Sequence, residues 1–238
     1  MPAAEPLVAL HRVVKDYCAL RPLRVEHFEL LPRESVALLG FDRAAAEVLV
    51  NLITAATLPD SGNVNIFGAP THVITDPITW FQSLDRFGIL SDRVVLVDEL
   101  SVEQNLTLPI SLEVDRTPSD VRTRVQRLAD EVRIPVDRRG ASMGDIDAAT
   151  RLRVRLGKAL ALDPRVLLAE HPNAAIPETD VGPFASDLTA IAATRGLAMV
   201  VLTADIRFAR AVCKQVLTLE PSTGKLTPVS ALKRWLGL

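Results

Sequence analysis

The chain has 238 residues, 48% of them hydrophobic and 24% charged, with a formal charge of -2. It reads as an ordinary globular chain, large enough for one core or for two lobes that share one. The near-neutral balance gives no general attraction to nucleic acid or anionic lipid.

The two cysteines, Cys18 and Cys213, lie far apart and have no metal-ligand spacing. They fit a reducing compartment and two incidental thiols rather than a disulfide. The start "MPAAEPLVALHRVVKDY" has no basic segment leading into an apolar one, and no run of about 18 apolar residues occurs anywhere. The expectation is a cytoplasmic chain that reaches the inner face of the cell membrane only through partners, without inserting directly.

In chain order, "LVALHRVVKDY" and "LRVEHFELLPRESVALLG" alternate apolar and polar residues as half-buried strands do, with "PRES" as a turn before a more continuous apolar strand. From Ala45 to Ala56, Val48, Leu49, Leu52 and Ile53 recur at helical spacing, and "LPDSG" breaks that helix. "NVNIFGAPTHV" follows as a strand pair. Residues 76–140 change character: a short strand lies between two helical stretches, and "TPSDVRTRVQRLADEVRI" has a Ser/Asp start with Val121, Val125, Leu128 and Val132 on one helical face. The last third alternates helix and strand, from "DAATRLRVRLGKALALD" and "PRVLLAEHP" to "KQVLTLEPSTGKLTPV", which predicts a parallel sheet packed with helices. In "SALKRWLGL", Leu232, Trp235 and Leu236 share a helical face suited to packing on the body.

Three stretches carry a specific likeness. "LPDSGNVNIFG", "DELSVEQNLTLPI" and "GKALALDPRVLLAEHP" resemble segments of the nucleotide-binding domain of ABC transporters, the last nearly letter for letter with that family's "RALALDPRVLLLDEP". The resemblance runs from about Leu7 to about Val229, and the "ENxxLP" style is similar to lipoprotein-release, macrolide-export and lipid-trafficking transporters. It implies an α/β fold: a P-loop NTPase-like core with an antiparallel β subdomain and an inserted helical subdomain. One domain over 1–238 would divide into a β subdomain with the P-loop (1–75), a glutamine-loop and helical region (76–150), a core with Walker B-like and switch-like segments (151–230) and a tail (231–238).

Placed on the family's motifs, the chain departs from nearly all of them. A P-loop needs glycines so that backbone N–H groups wrap phosphates, a lysine to reach the β and γ phosphates, and a hydroxyl on magnesium. Here only Gly40 remains; Arg43 and Ala45 replace glycines, Ala46 stands at the lysine and Glu47 at the hydroxyl. The glutamine-loop position is Asp92, able to ligate a metal or to be a polar loop residue. The Walker B acid and the neighbouring catalytic glutamate fall on Glu170 and His171; His171 has the chemistry of a base near neutral pH. The "LSGGQ" signature aligns with Ile146-Asp147-Ala148-Ala149-Thr150, where Asp147 brings a negative charge but is also a good helix N-cap. The switch histidine aligns with Ala204, and "AAIP" replaces the D-loop. Tyr17, the one tyrosine, is either an adenine-stacking residue or an amphipathic surface residue.

The apolar periods persist while the nucleotide-contacting motifs change, so the expectation is a degenerate member of the family, a structural or regulatory subunit of a membrane transport complex. Its partners would be a membrane permease and an active ATPase homologue or a second copy of itself, with no nucleic acid. No cofactor is expected. Two other readings stay open: an unconventional ATPase using ATP and magnesium through Asp92, Glu170, His171 and Arg43, and a soluble interaction adaptor.

Overall fold

The computed structural model describes residues 4–229, so the predicted face of Leu232, Trp235 and Leu236 lies outside the described residues. Strands β1 (Val8–Lys15) and β2 (Leu23–Leu30) pair antiparallel, and β3 (Ser35–Leu39) runs into helix α1 (Arg43–Ile53). Strands β4 (Ser61–Ile66) and β5 (Ala69–Pro70) follow. Gly62 has φ +84, and an added Cβ there would lie 2.3 Å from the Arg12 carbonyl oxygen, so the "PDSG" turn requires glycine at that step. These strands make a four-stranded antiparallel sheet of order β2-β1-β4-β5.

Helix α2 (Pro77–Leu84), strand β6 (Phe87–Leu90) and helices α3 (Val102–Thr107), α4 (Ser119–Glu131) and α5 (Ala148–Leu160) form the middle. Strand β7 (Val166–Glu170), helix α6 (Glu178–Arg195), strand β8 (Ala198–Leu202), helix α7 (Ile206–Val212) and strands β9 (Gln215–Glu220) and β10 (Lys225–Pro228) complete the chain. The second sheet has the order β10-β9-β3-β8-β7-β6, parallel throughout except for β10.

The apolar run of each central strand is explained by burial on both faces. Val36, Leu38, Val166, Leu168, Val200 and Leu202 pack toward α1 and the antiparallel sheet. Ala37, Leu167, Ala169, Met199 and Val201 pack toward α4, α5, α6 and α7. Three local expectations are corrected. α1 starts at Arg43, two residues before the predicted Ala45, because Asp42 caps it. α4 is entered through Pro118 with no side-chain cap, so the Ser/Asp start does not act as one. The second strand after "PDSG" is only two residues long before a 3-10 turn at Thr71–Val73, since Pro70 cannot extend a ladder. Among the described residues no helix is long and apolar enough to cross a membrane.

Candidate functional site

Strands β3, β7 and β6 are parallel, so their carboxyl ends open at one edge of the sheet, where ligands of open α/β sheets bind. There a cleft of about 400 Å³ is lined by Arg43, Glu47, Asp92, Arg93, Glu170 and His171. Five of these, all but Arg93, are residues that the sequence nominated.

The charges of the cleft are largely paired from within. Glu170, 7% exposed at the end of β7, accepts a hydrogen bond from Ser91 Oγ at 3.0 Å and one from Arg93 Nε at 3.1 Å, and a second guanidinium nitrogen, Nη2, bonds its other oxygen. Arg93 Nη1 reaches Glu47 on α1 at 3.2 Å. Hydrogen bonding to Glu170 keeps the Arg93 guanidinium above its ordinary range, against the effect of partial burial. Across the cleft, Arg43 Nη1 bonds Asp92 Oδ2 at 2.8 Å. Two guanidinium groups therefore meet three carboxylates, leaving a formal excess of one negative charge. Arg155 and Lys158 of α5 donate to the carbonyls of Val94 and Val95 at 3.4 and 2.9 Å, which fixes the segment carrying Asp92 and Arg93.

His171 follows Glu170 in a left-handed conformation, φ 44, and its backbone N–H donates to the Leu202 carbonyl at 2.8 Å. Its ring Nε2 is buried with no hydrogen-bond partner among the described residues. At the start of α1, Asp42 Oδ1 accepts from Ala45 N at 2.8 Å and Asp42 O accepts from Ala46 N at 2.9 Å. These amides thus serve the first turn of α1, and the side chain of Ala46 is fully buried.

No family model matches the chain. Among curated proteins it is similar to the ribose import ATP-binding protein RbsA 1 of Rubrobacter xylanophilus, 31% identical over 182 residues, covering 74% of this chain and 35% of that protein. It is also similar to the methionine import ATP-binding protein MetN of Clostridium acetobutylicum, 22% identical over 97% of this chain and 74% of that one. The fold matches cbiO1 of Clostridium perfringens, part of the ABC transporter complex cbiONQ, with a TM-score of 0.79 at 18% identity over 93% of this chain and 87% of that chain. The chain belongs to the ABC transporter ATP-binding domain family. It spans about a third of the length of the ribose-import relatives it matches (34% and 35% for two of them). The two curated relatives named here are import ATP-binding proteins.

Within the family frame, the structure brings together Arg43, Glu47, Asp92, Glu170 and His171, and leaves the other nominated residues out of the cleft lining. Gly40 is exposed at φ +87 beside Leu219. Tyr17 packs half-buried against the antiparallel-sheet core; burial first, and the Asp42 carboxylate second, raise its pKa. Asp147 is the N-cap of α5, with Oδ1 accepting from Thr150 N and Oδ2 from Thr150 Oγ1, both at 2.8 Å. Ala204 is exposed in the turn before α7, where Thr203 Oγ1 bonds Asn173 Oδ1 at 3.0 Å and Asp205 caps the helix.

Sequence reasoning missed two residues. Asp42 had a local signal: an aspartate followed by "RAAAEV", a run of strong helix formers, reads as an N-cap. Arg93 had none, because its partners are 46 and 77 residues away in sequence.

Proposed function

We propose that this ABC ATP-binding domain homologue is catalytically degenerate and acts as a structural or regulatory subunit of a membrane transport complex. The supporting observation is the place of Arg93. Its guanidinium lies among Glu47, Asp92 and Glu170, the residues that align with the family's magnesium-handling positions, and ion-pairs with Glu47 and Glu170. On this reading an internal cation stands in for the metal, and the Asp42 carboxylate takes up the Ala45 amide, one of the helix-start amides that a phosphate would otherwise seek.

The donor set does not fit magnesium–ATP. Ala46 offers no ammonium, and Glu47 brings a like charge whose approach to phosphate within about 4 Å costs about 4 kcal/mol at an effective dielectric near 20. Tyr17, Gly40, Arg43, Ala46, Glu47, Asp92 and Asp147 mark the remains of a nucleotide site, and Glu170, His171 and Ala204 the remains of its catalytic positions. The retained core would present a docking body for a permease, paired with an active ATPase homologue or a second copy, at the inner membrane face. The whole of 1–238 acts as one such unit in this proposal.

Calorimetric titration with ATP and magnesium to millimolar nucleotide tests the reading, with an Ala46→Lys, Glu47→Ser variant in parallel and its melting transition as a check on folding. Absence of binding by the native chain is the expected result. Micromolar binding by the native chain would overturn it. A second reading, unconventional ATP hydrolysis, draws on the unpartnered His171 Nε2 and on Arg43, whose side chain is 72% exposed. Binding that depends on Arg43 and turnover that depends on His171 are its requirements.

A further inference from the structure

On the antiparallel sheet, away from the cleft, β1 and β2 set His11 and His27 directly opposite each other. The inward-facing phase of both strands shifts at this point. Leu10 and Phe28 are buried before it and Val13 and Val25 after it, so the two imidazoles are carried together to the outer side. The shift coincides with an irregularity in the β1–β4 register between His11 and Val14, with Arg12 at φ 49, and the Gly62 backbone packed close beneath allows it. Bulges of this kind re-aim side chains.

The result is a close pair: His11 Nδ1 and His27 Nδ1 lie 3.2 Å apart, with ring centroids at 5.0 Å. Glu29, two residues along β2, brings a carboxylate oxygen to 3.9 Å from His11 Nε2. One donor atom from each of His11, His27 and Glu29 falls within 4.8 Å of the others. At metal–nitrogen distances of about 2.0–2.1 Å, two corners of a tetrahedron lie about 3.3–3.4 Å apart. The histidine pair therefore already has the separation of two ligands on one small ion.

We propose that His11, His27 and Glu29 form a binding site for a first-row divalent transition ion of the zinc type. Two imidazoles and a carboxylate suit Zn²⁺ and its neighbours and are a poor match for Mg²⁺ or Ca²⁺, which prefer all-oxygen shells. The register of two paired strands positions the ligands before the ion arrives. The His11 and Glu29 side chains are 45% and 41% exposed, so an ion can enter from solvent and complete its shell with water. The site is independent of the nucleotide question, since none of its residues lines the cleft.

The test uses the full chain carrying Cys18→Ser and His72→Ala, which removes two other exposed soft donors. Zinc chloride is titrated by calorimetry, and melting is followed with zinc and then with a chelator. One saturable equivalent is expected, together with a rise in melting temperature that the chelator reverses. His11→Ala and His27→Ala each weaken binding by about tenfold or more, at least the loss seen when an outer-shell partner of a ligand is removed. Both substitutions fall on the outer face, so the metal-free melting temperature should stay close to that of the parent. No saturable zinc binding up to millimolar, or binding that His27→Ala leaves unchanged, overturns the proposal and leaves the 3.2 Å contact as a hydrogen bond between two rings.

Discussion

Arg93 is the residue on which the cleft turns. It is bonded to a glutamate with 6% side-chain exposure while keeping 38% of its own side chain in solvent. Removing one partner of a buried pair strands the other charge, at about 3–5 kcal/mol for full burial; solvent screening at Arg93 lowers the expectation for Arg93→Met to about 2 kcal/mol. A urea unfolding midpoint should fall accordingly, and adding Glu170→Gln should recover much of the loss, because the buried charge is then gone and Glu47, the other partner, is half in solvent. An unchanged midpoint in the single variant would remove the case for an internal cation. The cysteines make a second residue-scale contrast. Burial pushes the Cys213 thiol up to about 12, whereas Cys18 is exposed. Thiolate is the reactive form, so a thiol reagent at pH 8 should modify one cysteine in the folded protein, Cys18, and both in denaturant. Rapid modification of two would place Cys213 nearer solvent than its packing allows.

Among the elements, the strands were the legible part. Val36–Leu38, Val166–Leu168 and Ala198–Leu202 announce themselves as continuous apolar runs because each is covered on both faces, and β2 alternates on either side of His27 because one face is wet, whereas β1 opens with three successive buried residues, Val8 to Leu10. Helix starts were less legible, since a cap is one residue whose effect depends on backbone geometry. Asp42 extended α1 backward through the residues assigned to a loop, while at α4 Ser119 and Asp120 fell inside the helix behind Pro118. Asp147 is the cap that was foreseen, and its contribution can be measured. Burial raises its pKa, but hydrogen bonds from the Thr150 amide and hydroxyl outweigh this, and the net shift is downward. The folded state therefore binds fewer protons than the unfolded one; the cap's stabilisation is present above the ordinary carboxylate value near pH 4 and is lost as pH falls through the lower folded value. Asp147→Ala should cost about 1 kcal/mol at pH 7. The difference from the native chain should shrink in unfolding curves taken toward pH 2, and a difference constant with pH would mean that the carboxylate is not the stabilising group.

For the molecule as a whole, the likeness to solved ABC cassettes extends over nearly the full fold while the cleft has a charge arrangement of its own, with Arg93 in contact with Glu170 and Glu47. That combination was only half visible beforehand. Motif by motif, the sequence could say what was replaced, Ala46 at a lysine and Glu47 at a hydroxyl. It could not say that Glu47, Asp92 and Glu170 would be drawn together around two arginines, because ion pairs between α1, the end of β7 and the segment after β6 depend on how the sheet orders β3, β7 and β6. On the proposed reading, a domain completed in this way needs no ligand to offset repulsion among its carboxylates. Ligand binding to the folded state alone raises stability by RT ln(1 + [L]/Kd), about 2.7 kcal/mol at 100 times Kd. For a chain of this length that amounts to about 5 to 10 °C in melting temperature. The native protein should instead melt within about 1 °C of its unliganded value in millimolar ATP and magnesium, well short of the shift expected of a site that nucleotide fills. A shift of several degrees that is lost in an Arg43→Ala variant would show the cleft to be open to nucleotide, and the internal ion pairs would then be a resting state that ATP displaces.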